Sequence, residues 1–279
     1  MSGKVSMNCD RNCGMDGGLL SALGLAEEVR RRRAPDPLVI ALAGGGGKTT
    51  SMGVLAREAA GWGRRVLVTT STHIGLPETG RILVWRPKTE RLEIWEPGEA
   101  ADGAAKRGPE EEADVPRDLI LTGGSLEEKA GIRKLTALPE AIFRRECARA
   151  DLVLIEADGA KRLPAKLPAA HEPVIPEQAE AVIGCMGLSA LGRPAGEVLF
   201  RREQWGISPG TPVTEELAAE ILASEAGTRK GVGRRLYRVI LNQCDTEREL
   251  DSARQIGRRL AAEDIHGAAV CFGRPVWRF

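Results

Sequence analysis

Short apolar runs alternate along the chain with longer blocks in which apolar residues recur every third or fourth position. Runs of the first kind are typical of parallel strands covered on both faces, and they occupy residues 38–43, 66–70, 151–157, 181–186, 238–241 and 268–272. Helical spacing covers residues 48–61, 138–150, 213–224 and 247–262. Strands that alternate with helices in this way predict an α/β fold with a doubly wound, mostly parallel sheet.

Other segments depart from this alternation. Around a turn, residues 81–85 and 91–95 alternate apolar with polar side chains, which predicts a small β-hairpin insertion. The helical spacing of residues 19–33 ends in the basic run Arg30–Arg33, and cations suit the C-terminal end of a helix. We expect residues 1–18 to form a flexible extension and residues 19–279 a single domain. The remaining segments predict a surface loop at 98–115, a short strand at 119–121 and a Pro-rich loop at 163–176.

The composition limits the class of protein. A chain of 279 residues with 42% hydrophobic and 28% charged residues can bury a substantial core and is not globally disordered. Its net charge of +1 gives no electrostatic reason to expect a nucleic-acid partner. No apolar run approaches the roughly 20 residues that span a bilayer, so we expect no membrane partner. The first 18 residues lack the apolar core of a signal peptide, which favours the cytoplasm.

The six cysteines do not form a disulfide scaffold in a chain of this length. Four of them lie in apolar segments, where we expect buried thiols: Cys147, Cys185, Cys244 and Cys271. Cys9 and Cys13 lie close together in the N-terminal extension. A metal or redox role stays open for this pair, although two ligands do not complete a metal site.

The strongest motif follows the first apolar run, where Gly44–Gly47 precede Lys48, Thr49 and Thr50. Glycines let backbone N–H groups approach phosphate oxygens, and the start of the next helix adds its positive dipole end. Lys48 would reach the β- and γ-phosphates, and the Thr49 hydroxyl would ligate Mg²⁺. The motif predicts an ATP or GTP site of the P-loop NTPase type, in a variant form because Leu42 replaces the usual first Gly. A ligand-free turn is the alternative, but it needs only one or two glycines.

Two acidic side chains end the strand at 151–157. Glu156 and Asp158 are two residues apart, so strand alternation places both at the sheet edge where the glycine loop lies. One would hold Mg²⁺ through water while the other positions an attacking water or hydroxyl. Together with Lys48 they are the candidate catalytic residues. The alternative is a pair of exposed acids at the start of a loop.

Candidate substrate contacts lie in two further segments. Thr70, Thr72 and His73 follow the strand at 66–70, which should end beside the nucleotide. Thr is also a common strand residue, so these positions have a purely structural alternative. Lys161 and His171 lie in a basic, Pro-stiffened loop that would grip phosphates or an anionic substrate, or would simply be solvated.

Residues 241–245, Leu-Asn-Gln-Cys-Asp, end a late strand and are similar to the N-K-x-D element of GTP-binding proteins. In this interpretation Asn242 and Asp245 belong to the nucleotide site, and the carboxylate of Asp245 accepts hydrogen bonds from guanine. Gln243 replaces the usual Lys, which leaves the choice between ATP and GTP open. The alternative is that Asp245 or Thr246 caps the helix at 247–262.

The assembled segments resemble the YqeC family, described as selenium cofactor biosynthesis or selenium-dependent molybdenum hydroxylase accessory proteins. The resemblance rests on residues 43–50, 66–73, 154–161, 171–176, 187–194 and 241–245. It implies a P-loop protein that acts in the maturation of selenium-dependent molybdenum hydroxylases. The usual His-Arg-Pro-Glu stretch of the family reads Phe200-Arg201-Arg202-Glu203 here, so no role of the missing His is transferred. Arg201 remains a candidate substrate residue.

Three functions are compatible with these features. The first is a Mg²⁺-dependent NTPase that drives cofactor handling on a client hydroxylase. The second is a small-molecule kinase whose loop at 161–176 binds the acceptor, and the shortened glycine loop is similar to that of the lipid A 4′-kinase family. The third is a nucleotide-sensing module without turnover.

Overall fold

The computed structural model of the chain describes residues 17–75, 81–86, 91–95, 120–129, 132–271 and 274–279. The strands are β1 (Leu38–Gly44), β2 (Val66–Thr70), β3 (His73–Gly75), β4 (Arg81–Arg86), β5 (Arg91–Trp95), β6 (Ile120–Lys129), β7 (Ile132–Thr136), β8 (Leu152–Glu156), β9 (Ala165–Lys166), β10 (Ala181–Gly187), β11 (Leu199–Phe200), β12 (Leu236–Asn242), β13 (His266–Cys271) and β14 (Arg274–Arg278). The helices are α1 (Leu19–Ala22), α2 (Ala26–Arg31), α3 (Lys48–Gly61), α4 (Glu140–Cys147), α5 (Ala195–Val198), α6 (Glu215–Ala223) and α7 (Glu247–Ala261).

The main sheet has the strand order β14-β13-β12-β10-β1-β8-β2-β6-β4-β5. Every neighbouring pair from β13 to β4 is parallel. The edge strands β14 and β5 run antiparallel to their neighbours, and β7 pairs antiparallel with both β6 and β3. The predicted doubly wound, mostly parallel α/β sheet is confirmed.

Alternate side chains of the central strands enter two different cores, which is why β1 and β8 have no polar face. Leu42 and Leu154 pack with residues of α3 such as Met52 and Leu55. Side chains of the other parity pack with α6 and α7: Val39, Ala41, Val153, Ile155, Ile221 and Ile256. Glu156 shares the parity of Leu154, so this alternation places its side chain on the face covered by α3.

The strand order reverses at β1. The chain passes from β8 on one side of β1 to β10 on its other side. In open α/β sheets, ligands bind outside the carboxyl ends of strands at such a switch point. The glycine loop starts at the carboxyl end of β1, so it lies at the reversal.

Several predicted elements differ in extent from the observed ones. The single helix expected at 19–33 is wrong, because Gly24, with a φ of 69°, separates α1 from α2. The short strand expected at 119–121 is the ten-residue β6. The expected hairpin is present as β4 and β5, and it extends the main sheet through the parallel pair β4–β6. The Pro-rich loop contains β9, and β3, β7 and β14 were not predicted. Residues 1–16 and 96–119, which include most of the expected extension and the whole expected loop, lie outside the described residues.

The cysteines and the basic run behave as the sequence predicts. Four cysteines are buried and form no disulfide: Cys147, Cys185, Cys244 and Cys271. Arg31 and Arg32 pair with Glu28, and Arg30 lies over the Trp62 ring with its Cζ 4.2 Å from the centroid. These arginines are thus engaged within the protein. No helix among the described ranges has both the length and the apolar character needed to cross a bilayer.

Candidate functional site

The glycines of the loop between β1 and α3 are required by close backbone packing. Gly44, Gly46 and Gly47 have φ values of 99°, 62° and 99°, a region that side chains disfavour. A Cβ on Gly46 would lie 2.2 Å from the backbone nitrogen of Gly187. Packing therefore accounts for a run of four glycines without a ligand, and the glycine count by itself no longer argues for phosphate binding.

The first amides of this loop donate hydrogen bonds within the protein. The N–H of Gly44 donates to both carboxylate oxygens of Asp158, each at 3.1 Å. The next two glycines donate to the carbonyls of Cys185 at 2.9 Å and Leu163 at 3.0 Å. This half of the loop is locked in place and presents no free donor to a ligand.

The start of α3 has the opposite character. Among the described residues, the N–H groups of Gly47, Lys48, Thr49 and Thr50 donate no hydrogen bond. Gly47, Thr49 and Thr50 are exposed. Unpaired N–H groups at a helix start, together with the helix dipole, bind anions. The donors suited to phosphate therefore lie at the end of the motif.

Lys48, which carries one of these amides, is buried, with only 5% of the residue exposed. Its Nζ donates to the Gly44 carbonyl at 2.5 Å and lies 3.1 Å from Asp158 Oδ1. Burial acts to lower the pKa of Lys48, but the charges of Asp158 and Glu156 outweigh it and raise that pKa above its ordinary value. The ammonium is therefore charged at neutral pH, as a phosphate ligand must be.

Thr49 and Glu156 bring a hydroxyl and a carboxylate together. The Thr49 hydroxyl donates to Glu156 Oε2 at 3.1 Å. Burial raises the pKa of Glu156, and the nearby Lys48 opposes this shift without cancelling it. Oxygen ligands of these two kinds suit Mg²⁺, which takes its other ligands from water and phosphate. Across the described ranges, no three His, Cys, Asp or Glu side chains converge on a metal position, so any ion here relies on such outside ligands.

Asp158 has a different environment from Glu156, although both were predicted at this sheet edge. It is 2% exposed and accepts from the Gly44 N–H while pairing with Lys48 and Lys166. Its oxygens are thus committed to groups of the protein. The arrangement suits Asp158 to holding Lys48 and the loop, and leaves Glu156 as the acid beside the Thr49 hydroxyl.

Lys166 is the functional candidate that the sequence analysis did not select. Its side chain is 0% exposed, and its Nζ lies 3.0 Å from Asp158 Oδ2 and 2.6 Å from Glu172 Oε2. It also donates to the Gly159 carbonyl at 2.7 Å. Glu172 in turn pairs with Arg201. A sequence signal for its burial is its place as the one polar residue in the apolar and Pro-containing stretch 163–170.

The other residues of this loop are more accessible. Lys161 and His171 are exposed, and Lys161 Nζ lies 5.0 Å from the centroid of the Phe200 ring. Arg201 Cζ lies 4.8 Å from the same centroid, and its side chain is 23% exposed. The structure therefore brings Lys161 and Arg201 together around Phe200, while His171 has no described contact with them.

Hydrogen bonds from the end of β2 join it to the end of β8. The Thr70 hydroxyl donates to the backbone carbonyl of Glu156 at 2.9 Å and accepts from the Thr72 N–H at 3.0 Å. These bonds fix the backbone that carries Glu156. His73 is exposed and begins β3, which pairs with β7 at the margin of the sheet. Thr70 and Thr72 thus lie beside Glu156 in structural roles.

Asn242 braces the glycine loop. Its Nδ2 donates to the Gly46 carbonyl at 2.7 Å, and its Oδ1 accepts from the Ser51 hydroxyl at 3.3 Å. Of the two candidate caps for α7, Thr246 is the N-cap, in a reciprocal capping box with Glu249. Asp245 is half-buried, and its backbone N–H donates to Glu249 at 2.7 Å.

Comparison with known proteins identifies the family. The family model described as "YqeC protein" matches residues 40–203, which is more than half of the chain. The chain belongs to the YqeC family. It is also 32% identical over 159 residues to a protein of Escherichia coli (strain K12) described as "Uncharacterized protein YqeC". That match covers 56% of this chain and 54% of the relative, so the chain spans about half the length of the curated relative it matches.

The YqeC match and the site coincide in part. Residues 40–203 include the glycine loop, both acids, Lys166 and Arg201. Asn242 and Asp245 lie outside the matched range. The range matched by the family model thus contains all the ion-paired residues that link Lys48 to Arg201.

Proposed function

We propose that this chain binds a nucleoside triphosphate, ATP or GTP, together with Mg²⁺ and hydrolyses it. The observation that carries the proposal is the set of unpaired N–H groups from Gly47 to Thr50, next to the charged side chain of Lys48. A tetrahedral anion is the chemical partner that several converging N–H groups and one ammonium favour. The position of the loop at the strand-order reversal also favours a ligand there.

The residues present fit the two groups that such a site would hold. The amides of residues 47–50 and Lys48 Nζ would hold the phosphates. Thr49 and Glu156 would hold Mg²⁺, whose chemistry is to neutralise charge on the phosphate oxygens. Asp158 holds Lys48 and the Gly44 amide, which orients the loop before any ligand arrives. Because Asp158 is committed to the Gly44 amide and two lysines, Glu156 is the acid that would also orient an attacking water.

The biological role rests on the family. The relative from Escherichia coli has a description that states no activity. The resemblance set out above implies that hydrolysis serves selenium cofactor biosynthesis or the maturation of a selenium-dependent molybdenum hydroxylase in the cytoplasm. In this proposal the client hydroxylase or its cofactor is the partner, and the exposed Lys161 and His171 together with the half-buried Arg201 are the substrate contacts.

Small-molecule phosphorylation is the second candidate function. It is favoured by the cations around Phe200, because Lys161 and Arg201 suit an anionic acceptor. Under that alternative, little free phosphate is released, and ATP or GTP is converted rapidly to its diphosphate only when an acceptor metabolite is added that takes up the phosphoryl group. A nucleotide sensor would bind tightly and release no phosphate even with a client enzyme present.

Release of phosphate from Mg²⁺-ATP and Mg²⁺-GTP tests the proposal. We expect turnover by wild type and a fall of about 10²-fold in Glu156→Gln, the size typical of a lost acid–base group. Glu177→Gln, which changes an exposed glutamate outside the site, is the matched control and should keep wild-type turnover. Equal turnover of Glu156→Gln and wild type would contradict the assigned role of Glu156.

A further inference from the structure

A row of charged side chains links the glycine loop to Arg201. It runs Lys48, Asp158, Lys166, Glu172, Arg201, with contacts of 3.1 Å, 3.0 Å and 2.6 Å in its first three steps and a pair between Glu172 and Arg201 at its end. Lys166, in the middle, is completely buried. Buried lysines are rare and costly unless paired, so its retention calls for a function or a compensating structure.

The backbone around Lys166 is fixed from two sides. Lys166 pairs in register with Phe200 in the two-stranded sheet β9–β11, and the Leu167 N–H donates to the Phe200 carbonyl at 2.9 Å. On the other side, a Cβ on Gly45 would lie 3.0 Å from the Cα of Ala165. The backbone that carries Lys166 is therefore held close to the glycine loop, and its buried ammonium is fixed by its contacts with Asp158, Glu172 and the Gly159 carbonyl.

Lys48 has two competing uses in this arrangement. In the structure it pairs with Asp158, and phosphate binding requires it to turn toward the ligand. A buried carboxylate left without a cation is strongly unfavourable. Among the described residues, Lys166 is the other cation that contacts Asp158. The ease with which Lys48 leaves Asp158 thus depends on Lys166.

We propose that Lys166 is a positioning residue that releases Lys48 to the triphosphate by keeping the Asp158 carboxylate balanced. This inference rests on the proposed nucleotide site and adds a residue to it. Without Lys166, Lys48 is the remaining side-chain cation on Asp158 and is held there, so phosphate has to compete against a buried ion pair. Lys166 then acts on nucleotide affinity without touching the nucleotide.

The test uses a double variant in which the number of buried charges stays balanced. Lys166→Met with Glu172→Gln removes one positive and one negative charge, which protects the fold. We expect Mg²⁺-ATP, or Mg²⁺-GTP if it binds more tightly, to bind this protein about tenfold more weakly than wild type in calorimetric titration, a typical coupling between two sites. Lys230→Met is the matched control, because Lys230 donates to the carbonyls of Ala169 and Ala170 in the same loop without contacting Asp158.

A suppressor separates this role from a merely structural one. Lys166→Met with Asp158→Asn removes the anion that retains Lys48, while the amide oxygen of Asn still accepts from the Gly44 N–H. We expect its affinity to be at least about threefold higher than that of Lys166→Met/Glu172→Gln, with thermal unfolding showing that all variants fold. Wild-type affinity in Lys166→Met/Glu172→Gln, or no recovery in Lys166→Met/Asp158→Asn, would overturn the role of Lys166. Failure of wild type itself to bind either nucleotide would instead remove the proposed function, and this inference with it.

Discussion

Charged residues around the glycine loop differ in what remains free for a ligand. Asp158 has both oxygens committed to the Gly44 amide and to two lysines, whereas Glu156 contacts the hydroxyl of the exposed Thr49. Two acids at the carboxyl end of the same strand therefore have different environments and different candidate roles. The environment of each side chain, more than its identity, separates the residue that holds the loop from the one that we propose as a metal ligand.

We expect the contribution of Glu172 to the free energy of unfolding to depend on pH. Burial acts to raise its pKa, but Lys166 outweighs this effect and the pKa lies below its ordinary value. The unfolded chain therefore takes up a proton before the native protein does, and the stabilisation by Glu172 is complete above the unfolded pKa and lost as pH falls through the folded pKa. We expect Glu172→Gln to lower the free energy of unfolding by about 3 kcal/mol at pH 7. Urea unfolding of both proteins should show this difference shrinking below about pH 4.5, and a difference independent of pH would contradict the ion pair.

Elements set the positions of these residues. The parity of β8 directs Glu156 to the face covered by α3, and Thr49 lies in the first turn of α3. Hydrogen bonds from Thr70 of β2 and Asn242 of β12 then fix the end of β8 and the glycine loop. The candidate site is thus assembled from the carboxyl ends of several strands and the start of one helix.

The close packing of the glycine loop predicts that an added side chain there destabilises the fold. Gly46→Ala places a Cβ 2.2 Å from the Gly187 nitrogen at a φ of 62°, so we expect a loss of more than about 2 kcal/mol in the free energy of unfolding. Gly61→Ala is the matched control at the other end of α3, where no atom lies within 4 Å of the added Cβ. It should be neutral or stabilise by up to about 1 kcal/mol. Chemical denaturation of both variants checks the pair, and equal stabilities would contradict the packing of the loop.

For the molecule as a whole, the sequence predicts the sheet better than the site. Apolar runs and helical spacing depend on local periodicity, and they located β1, β8 and α3 to within about two residues. The candidate site residues Lys48 and Thr49 follow from one local motif. The burial of Lys166 could not be predicted, because it depends on contacts with Asp158 and Glu172 that only the fold creates. The run of four glycines was interpreted as a sign of phosphate binding, whereas close backbone packing, which no local pattern reveals, also requires it.

Calorimetric titration directly tests whether a nucleoside triphosphate binds at the start of α3, as we propose. Mg²⁺-ATP and Mg²⁺-GTP are titrated into wild type, Lys48→Ala and Lys134→Ala, the last an exposed lysine of β7 that serves as the matched control. Asp158 keeps its contact with Lys166 in the first variant, so the fold should persist. We predict that Lys48→Ala binds at least tenfold more weakly than wild type, a loss of about 1.4 kcal/mol, while Lys134→Ala binds as wild type does. Equal affinity of Lys48→Ala and wild type would contradict the account.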